Sequence, residues 1–313
     1  MEMPLECTIH WWEDWSIEFD FAQNRQSPQN SRDIMKNFFL SLLTIGLLAF
    51  PAHAQTLDRI KETGQLKLGY RIDAAPLSYQ RVGGEPAGYS PLICVQLGQA
   101  IANHLKMKDL EAIFVPVDAS DRFDKVASGE IDLLCGAATI TLSRRELVDF
   151  SIPTFVDGTS LIVHNDSPDS FQELAGKKLG VRKDTTTEQA LNNSVKAAGM
   201  DAKVYTFSSH RLGMAALESN EIDAYFADQS ILSGLRMASA KANELKMLSE
   251  ILTLEKQGLA LARGDSEFRL LVDRTISEMY ARGEMVRILE GEIPGARPGI
   301  ALKAMYLIAP TTE

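Results

Sequence analysis

Three short stretches gather residue types that hold small charged molecules. The run Gly136-Ala137-Ala138-Thr139-Ile140-Thr141-Leu142-Ser143-Arg144-Arg145 combines hydroxyls with arginine. Asp184-Thr185-Thr186-Thr187-Glu188 sets three hydroxyls side by side, and Asp228 ends a mostly apolar segment. A carboxylate is held best by a forked guanidinium and by backbone N–H groups at a helix start. An ammonium is held by a carboxylate together with neutral oxygen acceptors. Arg144 with Thr139 on one side, and Asp228 with Thr185 on the other, therefore complement a zwitterion. Each also has a plainer reading. Arg144 could be a surface charge of the Arg144-Arg145-Glu146 cluster, while Asp228 and Thr185 could cap the helices that follow them, positions that favour Asp and Thr. A threonine can serve as cap and lining residue together.

These residues meet only if each stands just beyond a strand. Hydrophobic periodicity predicts strands over 65–71, 111–117, 131–135, 154–163, 178–181, 203–206, 222–227 and 257–262. Helices are predicted over 91–104, 121–127, near Phe171, and over 185–198, 210–219, 229–241 and 266–289, the last as one or two pieces. Gly199 suits a left-handed cap on the 185–198 helix. Alternating strands and helices predict an α/β fold of parallel sheets with helices on both faces. The strings FDKVASGEIDL (123–133) and MAALESNEIDAY (214–225) superpose without gaps, pairing Val126 with Leu217 and Glu130-Ile131-Asp132 with Glu221-Ile222-Asp223. This echo predicts two similar α/β lobes, and ligands of such open sheets lie beyond the carboxyl ends of the strands.

The length of 313 residues fits two domains at about 150 residues each. With 45% hydrophobic and 24% charged residues, the composition is that of a globular protein and excludes a disordered chain or a collagen-like fibre. A net charge of -10, a pI near 5.1 and the lack of a basic stripe argue against a nucleic-acid partner. Residues 35–54 have the layout of a secretory signal peptide: Lys36, an apolar core over 38–50, then Ala52-His53-Ala54. That core is shorter than the about 20 apolar residues a spanning helix needs. Residues 1–34, which hold all three tryptophans, are read as an upstream extension outside the fold. Export leaves Cys94 and Cys135, which either pair in an oxidising compartment or stay as separate buried thiols. No GxGxxG loop, HExxH, GxSxG or paired Cys/His arrangement follows residue 54, so neither a cofactor nor a metal is expected.

The strings GYR, GEPAGYSPLI, SGEIDLLCGAATITLSRRELVDFSIP, DTTTE and EIDAYFADQSIL, in this order, resemble the periplasmic amino-acid-binding proteins of ABC importers. The likeness is greatest to the glutamate/aspartate-binding branch and covers nearly all of 57–290, with R-R-x-x-V-D-F-S at 144–151 its most specific element. The resemblance implies a type II periplasmic binding protein fold: lobe I over 55–155 and 256–313, lobe II over 156–255, and a two-strand hinge near 153–157 and 252–257. It implies that Arg144 grips a ligand α-carboxylate, helped by Thr139 and Thr185, and that Asp228 receives the α-ammonium. It further implies that Arg71, Arg122 and His210 surround a distal carboxylate. Two departures accompany these matches. Ala119 and Ala137 stand where that branch tends to have hydroxyls, and the cysteine it commonly places near 257–262 is absent, which makes Cys94 the candidate partner of Cys135. The implied protein is a periplasmic monomer that delivers an amino acid to an ABC permease of the inner membrane. The alternative is an enzyme of the cyclohexadienyl-dehydratase type on the same scaffold, which would need a general acid or base in the cleft.

Overall fold

The computed structural model describes residues 56–293 and 298–311. The signal peptide and the upstream extension lie outside the described residues.

The chain opens with helix α1 (Thr56–Thr63) and strand β1 (Gln65–Arg71), then a small hairpin sheet of β2 (Asp73–Ala74), β3 (Ser78–Gln80) and β4 (Pro86–Ala87). Helix α2 (Tyr89–Leu105) and β5 (Glu111–Val117) follow, then α3 (Arg122–Ala127), β6 (Leu133–Leu134), α4 (Leu142–Arg145) and β7 (Val148–Phe150). The chain leaves this lobe through β8 (Phe155–Asp157). The second lobe contains β9 (Thr159–His164), β10 (Lys178–Arg182), α5 (Thr186–Ala197), β11 (Lys203–Phe207), α6 (His210–Glu218), β12 (Ala224–Asp228), α7 (Gln229–Ala238) and β13 (Leu245–Met247). The return strand β14 (Glu255–Gln257) leads to β15 (Ala260–Ala262) and to helices α8 (Ser266–Ala281), α9 (Glu284–Glu292) and α10 (Ile300–Ile308).

Two five-stranded sheets carry the molecule, in the orders β5-β1-β6-β15-β7 and β11-β10-β12-β9-β13. In each, four strands run in one direction and the remaining one, β15 or β9, runs antiparallel to both its neighbours. The sheets are thus mixed, not parallel as expected. The physical reason is the double crossing: β9 and β15 are the first strands after each passage between lobes, and they enter their sheets from the cleft end. The crossing segments pair with each other as the antiparallel ladder β8–β14, registered Phe155 to Gln257. This is the two-lobed type II fold.

Both faces of both sheets are covered. In the first lobe Leu66, Leu68 and Leu133 pack with α2 and α8, while Val117, Ile131 and Phe150 fill the opposite face. In the second lobe Ile162, Leu217 and Tyr225 share one cluster, and Leu161, Leu179 and Phe226 another. Burial on two faces explains the apolar run of β12, whose five residues are all buried.

The internal echo is a real structural repeat. Asp132 accepts from the backbone N–H of Lys67 at 2.7 Å and returns its own N–H to the Lys67 carbonyl; Asp223 does the same with Lys178 at 2.7 Å. Gly69 and Gly180 occupy matching places on β1 and β10, where an added Cβ would lie 2.3 Å from Ile131 Cδ1 or Ile222 Cδ1.

Several boundaries differ from expectation. The 154–163 run splits at Gly158, where any Cβ would lie 2.2 Å from the Thr253 carbonyl of the other crossing segment. The 257–262 run likewise splits into β14 and β15. Of the 131–135 run only Leu133–Leu134 forms the strand, and the Asp132 and Cys135 N–H groups at its ends bond to the Lys67 and Gly69 carbonyls of β1. The segment near Phe171 is a single 3-10 turn (Gln172–Leu174). Helix α7 ends three residues early, and α10, whose Leu302 and Met305 join the first core, was not anticipated. Gly199, at φ +57°, follows α5 as expected.

Cys94 on α2 and Cys135 beyond β6 are joined by a disulfide spanning a sequence separation of 41. Peptide mapping without reductant should recover the two segments linked. Replacing both cysteines by alanine should lower stability to urea by about 2–4 kcal/mol through the lost loop constraint; free thiols in the native protein would contradict the bridge.

Candidate functional site

The strand ends of the two sheets face each other, and the polar residues of the connecting turns project between them. Arg71 ends β1, Arg122 opens α3, Thr139 follows β6 and Arg144 lies on α4; from the other lobe come Thr185 before α5, His210 at the start of α6 and Asp228 at the end of β12. All seven line one enclosed hollow, together with Ala137, Thr186, Thr187 and Ile231. Its free room is about 20 Å³, enough for one water.

At one end sits Arg144. Thr141 caps α4 by accepting from the Arg144 N–H, and the guanidinium donates to the Thr139 carbonyl at 2.7 Å. Its carbon lies 4.7 Å from the Phe123 ring centroid, so the flat face is covered and the edge turns to the hollow. Burial pulls its pKa down to about 10, Glu255 and Asp228 hold it up, and Arg71 opposes them. Arg144 is half-buried whereas Arg145 is exposed, which separates the lining arginine from its surface neighbour.

Asp228 is buried, accepting from Thr187 Oγ1 at 3.2 Å and from Gln257 Nε2 at 2.8 Å. It makes no side-chain cap bond, so it is not the side-chain cap of α7. Burial pushes its carboxyl pKa up, and the nearby Asp157 and Glu255 carboxylates push further. Glu255 accepts from Thr139 at 2.6 Å, Thr253 at 2.7 Å and Thr186 at 2.8 Å, tying both lobes to the hinge. Asp157 accepts from the Gly158 N–H at 2.9 Å and from Ser230 at the start of α7. Acceptors thus converge on this corner, and a cation there would relieve their mutual repulsion.

Thr185 caps α5 and also borders the hollow. Its hydroxyl accepts from the Glu188 N–H and donates to the Arg182 carbonyl at 2.7 Å.

The opposite end is built from Arg71, Arg122 and His210. The Arg122 guanidinium donates to the Ala119 carbonyl and, at 3.4 Å, to the Asp184 carbonyl of the other lobe. Its carbon lies 4.5 Å from the Phe123 centroid, and its buried Nε finds no acceptor among the described residues. Burial, then Arg71, Arg144 and Arg182, lower its pKa. Arg71 is not free: its Nε lies 3.1 Å from Asp73 Oδ1. His210 is buried with Nδ1 3.0 Å from the Tyr225 hydroxyl, and burial lowers its pKa to about 3, so it is a neutral hydrogen-bonding group near pH 7.

Sequence reasoning missed Asp73, Arg182, Glu255 and Gln257. A signal for Arg182 was present: Lys-Leu-Gly-x-Arg occurs at 67–71 and again at 178–182, which sets Arg182 at the same strand end as Arg71. Glu255 and Gln257 lie on the return strand, whose approach to the hollow follows only from the double crossing.

His210 makes stability pH-dependent. As pH falls from about 6.5 toward about 3 the unfolded chain takes up a proton that the folded chain refuses, so stability is lost across that window. The melting temperature between pH 7 and pH 4 should fall less steeply for His210→Asn than for the wild type; parallel curves would contradict a buried neutral imidazole.

The chain matches the model of the bacterial extracellular solute-binding proteins, family 3, over residues 66–291. The glutamate/aspartate import solute-binding protein of Salmonella typhimurium is 28% identical over 259 residues, 80% of this chain and 86% of that protein. The L-glutamate/L-aspartate-binding protein of Pseudomonas aeruginosa is 29% identical over 265 residues, 82% of this chain and 87% of that one. Among solved structures, an ancestral arginine-binding protein bound to glutamine is similar at a TM-score of 0.63 and 28% identity, covering 74% of this chain and 98% of that chain. The family match takes in both sheets and every residue that lines the hollow, and the chain belongs to the bacterial extracellular solute-binding proteins, family 3.

Proposed function

We propose that this protein is the solute-binding component of an ABC-type amino-acid importer and that its ligand is glutamate or aspartate. The observation that carries the reading is the pairing of Arg144 from one lobe with Asp228 from the other on a single enclosed hollow. Arg144, with Thr139 and Thr185, takes the α-carboxylate; Asp228 takes the α-ammonium, with the hydroxyls of Thr186 and Thr187 beside it. Arg71, Arg122 and His210 form the end that meets the side-chain carboxylate. Ala119 and Ala137 supply no side-chain hydrogen bond there.

The mechanism is population shift. An amino acid needs more than the room of one water, so it enters when the lobes part. It stabilises closure because it touches both lobes only in the closed state. The β8–β14 ladder lets the lobes swing without breaking either sheet. Asp228 opposite Arg144 suits a zwitterion and leaves no need for turnover, so the protein binds its ligand and releases it unchanged. The reading takes residues 35–54 as an export signal, 55–155 with 256–313 as lobe I and 156–255 as lobe II. The protein is then a periplasmic monomer whose partner is an inner-membrane ABC permease.

A thermal-shift screen of the twenty amino acids should give its largest rise with glutamate or aspartate. Incubation with glutamate should return unchanged amino acid bound in stoichiometric amount, whereas product formed from a prephenate-like acid would overturn the binding reading. Arg144→Ala should weaken every amino acid by more than about tenfold in calorimetry, since a charge-assisted forked contact is lost. Arg122→Ala should weaken glutamate more than glutamine; equal losses would remove the distal-carboxylate assignment.

A further inference from the structure

The distal end of the hollow contains a chain of alternating charge that bridges the lobes. Asp73, on β2 of the first lobe, accepts from Arg71 Nε at 3.1 Å through Oδ1 and from Arg182 Nε at 3.0 Å through Oδ2. Arg182, at the end of β10 in the second lobe, also pairs with Asp118 beyond β5 in the first, and gives Nη1 to the Lys183 carbonyl at 3.1 Å. Arg71 and Arg182 are 2% and 3% exposed, so each would be costly to desolvate alone. One carboxylate offsets both. Burial would raise the Asp73 carboxyl, yet Arg71, His210 and Arg182 hold it below the usual carboxylate range.

Arg122 is placed differently. It is equally buried, its partners are neutral carbonyls, its Nε has no acceptor, and among the described residues no acid pairs with it. Three guanidiniums (Arg71, Arg122, Arg182) face two carboxylates (Asp73, Asp118) at this end, which leaves one positive charge, located on Arg122.

We propose that Asp73 determines the specificity of this pocket: its carboxylate occupies Arg71 and Arg182 in place of a ligand carboxylate and clasps the two lobes together, so that a ligand's distal group meets Arg122 as the one guanidinium of that end not paired to an acid, beside His210. The site then accepts one distal negative charge, and accepts it more weakly than a pocket with Arg71 free. The specificity half rests on the amino-acid-binding reading above; the clasp half does not.

Two measurements separate these halves. Small-angle scattering of the ligand-free protein reads the clasp directly. Arg182→Gln, and the milder Asp118→Asn at an exposed position, should each enlarge the radius of gyration while retaining a cooperative melt. Curves superimposable on the wild type for both variants would overturn the clasp. Calorimetry with glutamate and glutamine reads specificity. Asp73→Asn frees two guanidiniums and should raise the glutamate-to-glutamine affinity ratio by about tenfold or more. An unchanged or lower ratio would overturn the specificity role. If the wild type binds no amino acid, the proposed function and the specificity role fall together, and the scattering comparison still decides the clasp.

Discussion

Charge buried without a partner costs several kcal/mol per ion, and the space between the two lobes is organised around that cost. Arginines and acids from both lobes and the hinge crowd in and around one enclosed hollow. Almost every one of them meets an opposite charge or a fixed dipole. Arg71 and Arg182 share Asp73, Asp228 takes Thr187 and Gln257, and Glu255 takes the hydroxyls of Thr139, Thr159, Thr186 and Thr253. Arg144 and Arg122 have backbone carbonyls and the Phe123 ring as partners, but no acid within ion-pair distance among the described residues. Those two guanidiniums are where an anionic group gains most by binding.

The repeat explains how such a site is assembled. Each lobe places a Lys-Leu-Gly-x-Arg strand beside a helix-turn-strand unit whose aspartate ties back to the lysine backbone. Both central strands therefore end in an arginine aimed at the cleft. In a symmetric pair these would repel. Asp73, on the short hairpin after β1, sits between them and turns repulsion into an interlobe bridge. Opening of the cleft and the charge of its distal end are thereby linked through one residue.

The hinge adds a second link. Glu255 and Gln257 belong to β14, yet they contact Thr139 of one lobe and Thr186 and Asp228 of the other. A ligand seated against Arg144 and Asp228 thus touches groups already bonded to the segment that must bend, which couples binding to closure through hydrogen bonds instead of distant strain.

Local chemistry made much of this visible in the chain alone. Apolar periodicity located β1, β5, β10, β11 and the long helices to within a few residues, because each sets apolar side chains against the core of its lobe. Hydroxyl and arginine runs beyond the strand ends marked Arg144, Thr139, Thr185 and Asp228, since those positions are set by local strand-to-helix turns. What the chain alone did not disclose came from contacts across long separations. The antiparallel sense of β9 and β15 depends on the double crossing. The places of Glu255 and Gln257 depend on which strand returns beside the hollow. The state of Arg71 depends on Asp73 and Arg182, 109 residues apart and in different lobes. Pattern and turn chemistry act over a few residues and can be read in order along the chain, whereas the pairing of buried charges is decided only when the lobes meet and water leaves.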